Sequence, residues 1–305
     1  MEAIKILEYE STLQPHFEKL NREWIEKYFV MEAVDEEVVT QPQQLIIDNG
    51  GAILFASLNE EVVGTVALKK VNDDEYELCK MAVSERARGN HIGLLLGEEA
   101  LKKARSMNAK RVILYSNRTF NDSIAINLYY RLGFKEISLE KGSYDRSDIK
   151  MLYDFEVHDY LKKAADRLKS IVTEYREKLD RINFREWNEK TSLTKWSRKE
   201  IIGHLIDSAS NNHERFVRAQ YTDKLISPGY AQDEWITLQN YQHQNVEQLI
   251  NLWFIYNMQL AWVIENIHHL KLETPCLIGD DEPVTLKFLV EDYMEHLVHH
   301  LQQIV

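Results

Sequence analysis

The sequence predicts a mixed α/β layer followed by an all-helical, up-and-down bundle of four helices, two domains in one chain. Three observations carry this. Short β-rich runs alternate with amphipathic stretches up to about residue 155. From residue 156 onward every long pattern is helical. The chain, at 305 residues, also exceeds what a single hydrophobic core usually organises.

The elements follow in order. "GGAILFASLN" and "EVVGTVALKKV", joined through "NEE", read as a hairpin. "YELCKMAV" is a further strand, "IGLLLGEEALKKARSM" a helix with one apolar stripe, and "KRVILYSN" a strand again. "SIAINLYYRL" is a helix closed by Gly133, and "FKEISLE" and "DIKMLYDF" complete the strands. The boundary falls near Glu156, giving domains 1–155 and 156–305 with no flexible linker between them. Four amphipathic helices then begin at about Val157, Ser197, Asn245 and Thr285. Ser197 and Glu200 stand in capping-box spacing, and Asn245 and Thr285 are N-cap residues. The connection between the second and third helices is long for a bundle, which favours a functional loop.

Composition narrows the function. A formal charge of −12 argues against nucleic acid or an anionic membrane as the main partner and leaves room for local basic pockets. Two cysteines, Cys79 and Cys276, make no disulfide framework, so a cytoplasmic location is expected. No apolar run approaches membrane-spanning length.

The first chemical signal is "RGNHIG", a short turn between a strand and a helix. Unpaired N–H groups and the helix dipole make such a start an anion site, most naturally for phosphate. Arg86 and Arg88 add charge, and Gly89 and Gly93 allow close backbone approach. An ordinary βα turn with solvated arginines fits this stretch equally well.

Together with "AINLYYRLGF" and "IKMLYDF", the segment resembles the GNAT N-acetyltransferase family over residues 1–155. The resemblance implies a mostly antiparallel mixed sheet flanked by helices, and acetyl-CoA as cofactor. Backbone groups of Met81 and Val83 are expected to hold the pantetheine arm, and Arg88, Gly89, Asn90, His91, Ile92, Gly93 and Leu94 the pyrophosphate. Tyr129 is expected as general acid toward the departing thiolate. His91 departs from the pattern, standing where the family has its first glycine. Glu77 shares a strand face with Cys79, Met81 and Val83 by the period of two, and is the candidate base unless it is merely a solvated strand end. Asn117 either contacts the coenzyme or caps the next turn. Cys79 reads as core rather than nucleophile.

The second signal lies in the helical half. His296 and His300, four apart, share a helix face with Leu289, Tyr293 and Ile304. His204, Asp207, Ser208, Asn211 and Arg215 form one polar row, which is either a solvated edge or the wall of a cleft. "WSRKEIIGHLIDSASNNHERF", "SPGYAQDEW" and "HLVHHLQQI" resemble the DinB superfamily, most closely its YfiT-like branch, over residues 156–305. That resemblance implies a divalent metal, zinc or nickel, held by His204, His296 and His300. Asp207, Asn211, Arg215, Tyr230, Gln232 and Asp233 are then candidates to support the ligands or touch substrate. His299 is expected off the ligand axis.

The expected function is an acetyl-CoA-dependent N-acyltransferase for a primary amine, fused to a metal-dependent S-transferase or hydrolase-like domain that takes a thiol. The alternative is an acetyl-CoA sensor whose metal-binding bundle is structural or dimerising, and a homodimer is compatible with either.

Overall fold

The computed structural model describes residues 4–118, 124–140, 147–192 and 195–305. The chain divides into two compact units, Met1–Glu156 and Val157–Val305. No helix among the described residues is long and apolar enough to cross a membrane.

In the first unit β1 (Ile4–Glu8), α1 (Gln14–Tyr28) and α2 (Ala33–Thr40) precede the hairpin of β2 (Ala52–Leu58) and β3 (Glu61–Lys70). Asn59 and Glu60 both have positive φ, the two-residue turn whose twist matches its strands. Then come β4 (Glu75–Val83), α3 (Ile92–Ser106), β5 (Arg111–Ser116), α4 (Ile124–Arg131), β6 (Lys135–Ile137) and β7 (Ile149–Asp154). The strands form one sheet in the order β1-β2-β3-β4-β5-β7-β6, in which only the β4–β5 pair is parallel.

Helices cover both faces, which is why β2 reads as a nearly continuous apolar run. Leu54 and Ala56 face one core with Leu96 and Ala100 of α3. Ile53 and Phe55 face a second with Phe17 of α1 and Val38 of α2. α3 and α4 approach closely at Gly97, where a Cβ would lie 2.4 Å from a Leu132 methyl.

In the second unit α5 (Phe155–Leu179), which starts directly after β7, α6 (Arg198–Arg218), α8 (Val246–Glu265) and α9 (Leu286–Ile304) surround one core. α5 is tied to α8 by Lys169–Glu265 and by Arg176 donating to Asn251, and to α9 by Arg167–Glu295. Ser197 and Glu200 form the expected reciprocal cap of α6, and Asn245 and Thr285 cap α8 and α9.

The sequence places no strand here, and the structure differs. β8 (Leu225–Ser227), β9 (Pro275–Ile278) and β10 (Val284–Thr285) form a small sheet in the order β10-β9-β8. Strands of two to four residues are too short to show a period. The long connection between α6 and α8 is thus partly structured, by β8 and by the short helix α7 (Gln232–Gln239).

Candidate functional site

In the first unit the site begins where the sheet splits. β4 and β5 are paired only over Glu75–Glu77 and Arg111–Ile113. Beyond that point β4 stays with β3 as far as Val83, and β5 stays with β7 as far as Ser116. β4 therefore has no β5 partner at Met81 and Val83, and a strand edge of this kind accepts an extended ligand. β4 also carries a bulge. Its register with β3 shifts by one residue between Thr65 and Ala67, and Lys80 has φ 50°. The buried Lys80 ammonium is 2.5 Å from the buried Asp35 carboxylate of α2, a pair that fastens the bulge beneath that helix.

A cavity of about 700 Å³ opens at the split. Glu77, Met81, Val83, Arg88, Gly89, His91, Ile92, Gly93, Leu94, Asn117 and Tyr129 all line it. The bulge interrupts the strict alternation assumed for β4, yet Glu77, Cys79, Met81 and Val83 all reach the cavity. Glu77 is 5% exposed, so it is no solvated strand end. Asn90 is not in the lining; its side chain donates to the Ala87 carbonyl. Arg86 is paired with Glu61. The sequence gives no warning of Trp24 and Tyr28 of α1 and Phe29 at its C-cap, where Trp24 packs on both other rings to form a further wall. Only the folded sheet brings α1 to this point.

The cavity runs onto the N-terminus of α3. His91 is the N-cap in a left-handed conformation, φ 56°, and no side chain caps the helix. Its first N–H groups are thus open to an anion. The Arg88 guanidinium stands beside them and donates to the Tyr28 hydroxyl and to Glu85. On the other side Gly133, φ 97°, reverses the chain after α4, so that the Phe134 N–H reaches the Tyr129 carbonyl at 3.0 Å. Phe134 is fully buried and holds Tyr129 edge-on. Burial, with the nearby Cys79, pushes the Tyr129 phenol up to about 12, so it stays protonated. Burial also pushes the Cys79 thiol up to about 12, with Glu77 adding to the shift.

In the second unit α6 and α9 bring the three histidines together. Their ligand-capable atoms all lie within 4.8 Å of one another, and His204 Nε2 is 3.2 Å from His296 Nε2. The polar row of α6 is no solvated edge: His204, Asp207 and Ser208 are buried, and Asn211 and Arg215 are half-buried. Gly203 makes this possible. A Cβ there would lie 2.2 Å from the Tyr241 ring, which crosses α6 and donates its hydroxyl to Asp207 at 2.6 Å. Gln239 donates to the same carboxylate oxygen. The Ser208 hydroxyl is 3.4 Å from His296 Nδ1, and the rings of Trp196 and Tyr230 lie 4.9 and 6.4 Å from the His204 ring, that of Tyr230 stacked.

The donor set fits a divalent ion. Two imidazole nitrogens each about 2.05 Å from a tetrahedral zinc stand about 3.3 Å apart, close to the observed separation. Burial, reinforced by the neighbouring rings, pushes the His204 imidazole down to about 3 and His300 to about 4, and lowers His296 as well. All three are therefore neutral, the ligating form. His299 bonds Gln303 and stands off the cluster; Asp233 accepts from Trp196, Asn211 turns to the Asp207 carbonyl, and Gln232 is exposed.

The two units thus present a sheet split with an uncapped helix start, and a helical core with a three-nitrogen cluster. Comparison with known families finds a match for each unit. Residues 17–134 match the acetyltransferase (GNAT) family and residues 167–304 the DinB superfamily. The chain carries a GNAT-family domain followed by a DinB superfamily domain. Similar solved structures include a GNAT-family acetyltransferase from Staphylococcus aureus Mu50. It is 21% identical, covering 50% of this chain and 99% of that one, with a TM-score of 0.46. PaiA N-acetyltransferase from Thermoplasma acidophilum, in complex with coenzyme A, is 19% identical over 50% and 99% of the two chains, with a TM-score of 0.42. A ribosomal-protein-alanine N-acetyltransferase from Brucella melitensis is 20% identical over the same shares, with a TM-score of 0.42. No curated protein matches the chain.

Proposed function

We propose that the first unit transfers an acetyl group from acetyl-CoA to a primary amine. The observation that carries this reading is the continuity of the β4–β5 split with the uncapped start of α3. An extended pantetheine arm would add to the free edge of β4 at Met81 and Val83. The pyrophosphate would lie on the N–H groups from Gly89 to Leu94, beside Arg88. The neutral amine attacks the thioester carbon, the carbon–sulfur bond breaks, and Tyr129 gives its proton to the departing thiolate. The surplus proton on nitrogen passes to Glu77, directly or through water. The products are the N-acetyl amine and free CoA thiol. The aromatic wall of Trp24, Tyr28 and Phe29 would receive the body of the acceptor.

The test is release of CoA thiol from acetyl-CoA in the presence of a panel of primary amines. At least one amine should drive turnover, and Tyr129→Phe should lower it about 100-fold with coenzyme affinity retained. Absence of acetyl-CoA binding by calorimetry would remove the reading. Binding without turnover would leave a coenzyme sensor in its place.

For the second unit we propose a resident divalent metal, zinc or nickel, held by His204, His296 and His300. The three neutral, convergent imidazoles support it. A bound ion of this kind supplies Lewis acidity to a coordinated thiol or water, as an S-transferase or hydrolase requires. This chain's own part is to keep the ligands unprotonated, to hold Asp207 beside them through Tyr241, and to shield the site with Trp196 and Tyr230. Metal content of untagged protein tests this. His204→Ala should lose most of the metal and His299→Ala should keep it; a wild-type content near zero with zinc and nickel both offered would refute it.

A further inference from the structure

Arg215 closes the polar row of α6, about 16 Å along the helix axis from His204. Its Nε is buried and has no hydrogen-bond partner. Arg198 of the same helix shows the contrast, donating to the Ile304 carbonyl and pairing with Glu186. The acids nearest Arg215 are Glu214 and Asp292, both exposed. Glu214 is already paired with Arg218. Burial disfavours the charged guanidinium, and no ion pair among the described residues compensates it. A half-buried cation without a counter-ion is costly unless a ligand completes it.

Tyr230 connects this cation to the histidines. Its ring stacks on His204 with centroids 6.4 Å apart. Its hydroxyl interacts electrostatically with Ser208, whose own oxygen is 3.4 Å from His296 Nδ1. The same hydroxyl is within electrostatic reach of both Arg215 and Asp207. Four buried side-chain atoms are without partners: His204 Nδ1, Asp207 Oδ2 and Arg215 Nε, which belong to the polar row that makes one wall of α6, and His300 Nδ1 on α9 beside His204. An unpartnered polar series of this length is a surface for a ligand that bonds at both ends.

We propose that the three-histidine centre acts on a substrate bearing a carboxylate, which Arg215 holds at the far end of the wall with Tyr230 beside it. The guanidinium fork matches a carboxylate in two parallel hydrogen bonds. A single cation with Glu214 and Asp292 as its nearest acids suits one negative charge better than the two of a phosphate monoester. The inference rests on the metal reading of the second unit, because the reacting end of the substrate is placed at the histidines.

The experiment is calorimetric titration of the zinc-loaded full chain with mercaptohexanoate and mercaptoundecanoate, whose extended lengths bracket the gap that the Arg215 side chain leaves, each against its alcohol counterpart. The acids should bind about 10- to 100-fold more tightly than the alcohols. Arg215→Gln should abolish the difference, and Arg215→Lys should keep only part of it, because the charge survives and the fork does not. Equal affinity of acid and alcohol in wild type, or a preference that survives Arg215→Gln, overturns the proposal. Zinc content is measured first. If no zinc loads, the metal reading fails by itself. The carboxylate site is then read in the metal-free chain from the Arg215 Nε–H resonance, assigned by its loss in Arg215→Lys. Hexanoate should shift that resonance and hexanol should not; a resonance unmoved by hexanoate overturns the proposal.

Discussion

His91 occupies a left-handed position that the backbone of the α3 turn demands. A side chain there costs about 1 kcal/mol or more relative to glycine, although glycine returns part of that as unfolded-chain entropy. His91→Gly is expected to tighten acetyl-CoA binding a few-fold with little change in stability, as calorimetry and a denaturant midpoint will show. Weaker binding would mean that the imidazole itself contacts the coenzyme. Cys79 lies in the same cavity, but burial holds its thiol protonated at neutral pH. Direct transfer therefore predicts no acetyl adduct on the protein after incubation with acetyl-CoA. An acetylated Cys79 in the intact-mass spectrum would replace direct transfer with a two-step route.

α6 owes its unusual burial to Gly203, which admits the Tyr241 ring against the helix backbone. Gly203→Ala should cost about 1–3 kcal/mol by overpacking, because the atom met is ring carbon and not the end of a flexible chain. It should also detach Tyr241 from Asp207. A denaturant midpoint for the second unit measures the cost, and truncating Tyr241 in the same background should recover part of it. The meeting of α6 and α9 has a pH consequence in the metal-free protein. His204 and His300 titrate at about 3 and 4 in the fold, against an ordinary 6.5. Below pH 6.5 the unfolded chain takes up protons that the folded one refuses. Stability is thus complete above pH 6.5 and is lost as pH falls toward 4. Melting temperatures of the metal-free chain across this window should fall on acidification, and His204→Phe should flatten the slope.

The two units have separate cores, and each carries its own candidate ligand site. Unfolding is therefore expected to show two transitions. Acetyl-CoA should raise one and zinc the other, each by about 2.7 kcal/mol at a hundredfold excess over its Kd. Differential scanning calorimetry with each ligand alone decides it. A single transition shifted by both ligands would mean that the units fold as one.

Much of this was legible in linear order because the signals are local. The hairpin at Asn59–Glu60, the caps at Ser197, Asn245 and Thr285, and the turn from Arg88 to Leu94 at the start of α3 are each set by a few consecutive residues whose φ and ψ follow from residue type. The pairing of His296 with His300 follows from the helical period alone. Non-local contacts were illegible. The aromatic wall of α1 at the β4–β5 split, the Lys80–Asp35 pair beneath the bulge, Tyr241 lying on Gly203 and the short strands β8 to β10 join residues tens of positions apart. The period of α6 allowed its polar row to face water or a cleft. Burial against α9 and under Tyr241 took it out of water, because desolvating His204, Asp207 and Ser208 is tolerable only where other polar groups converge on them.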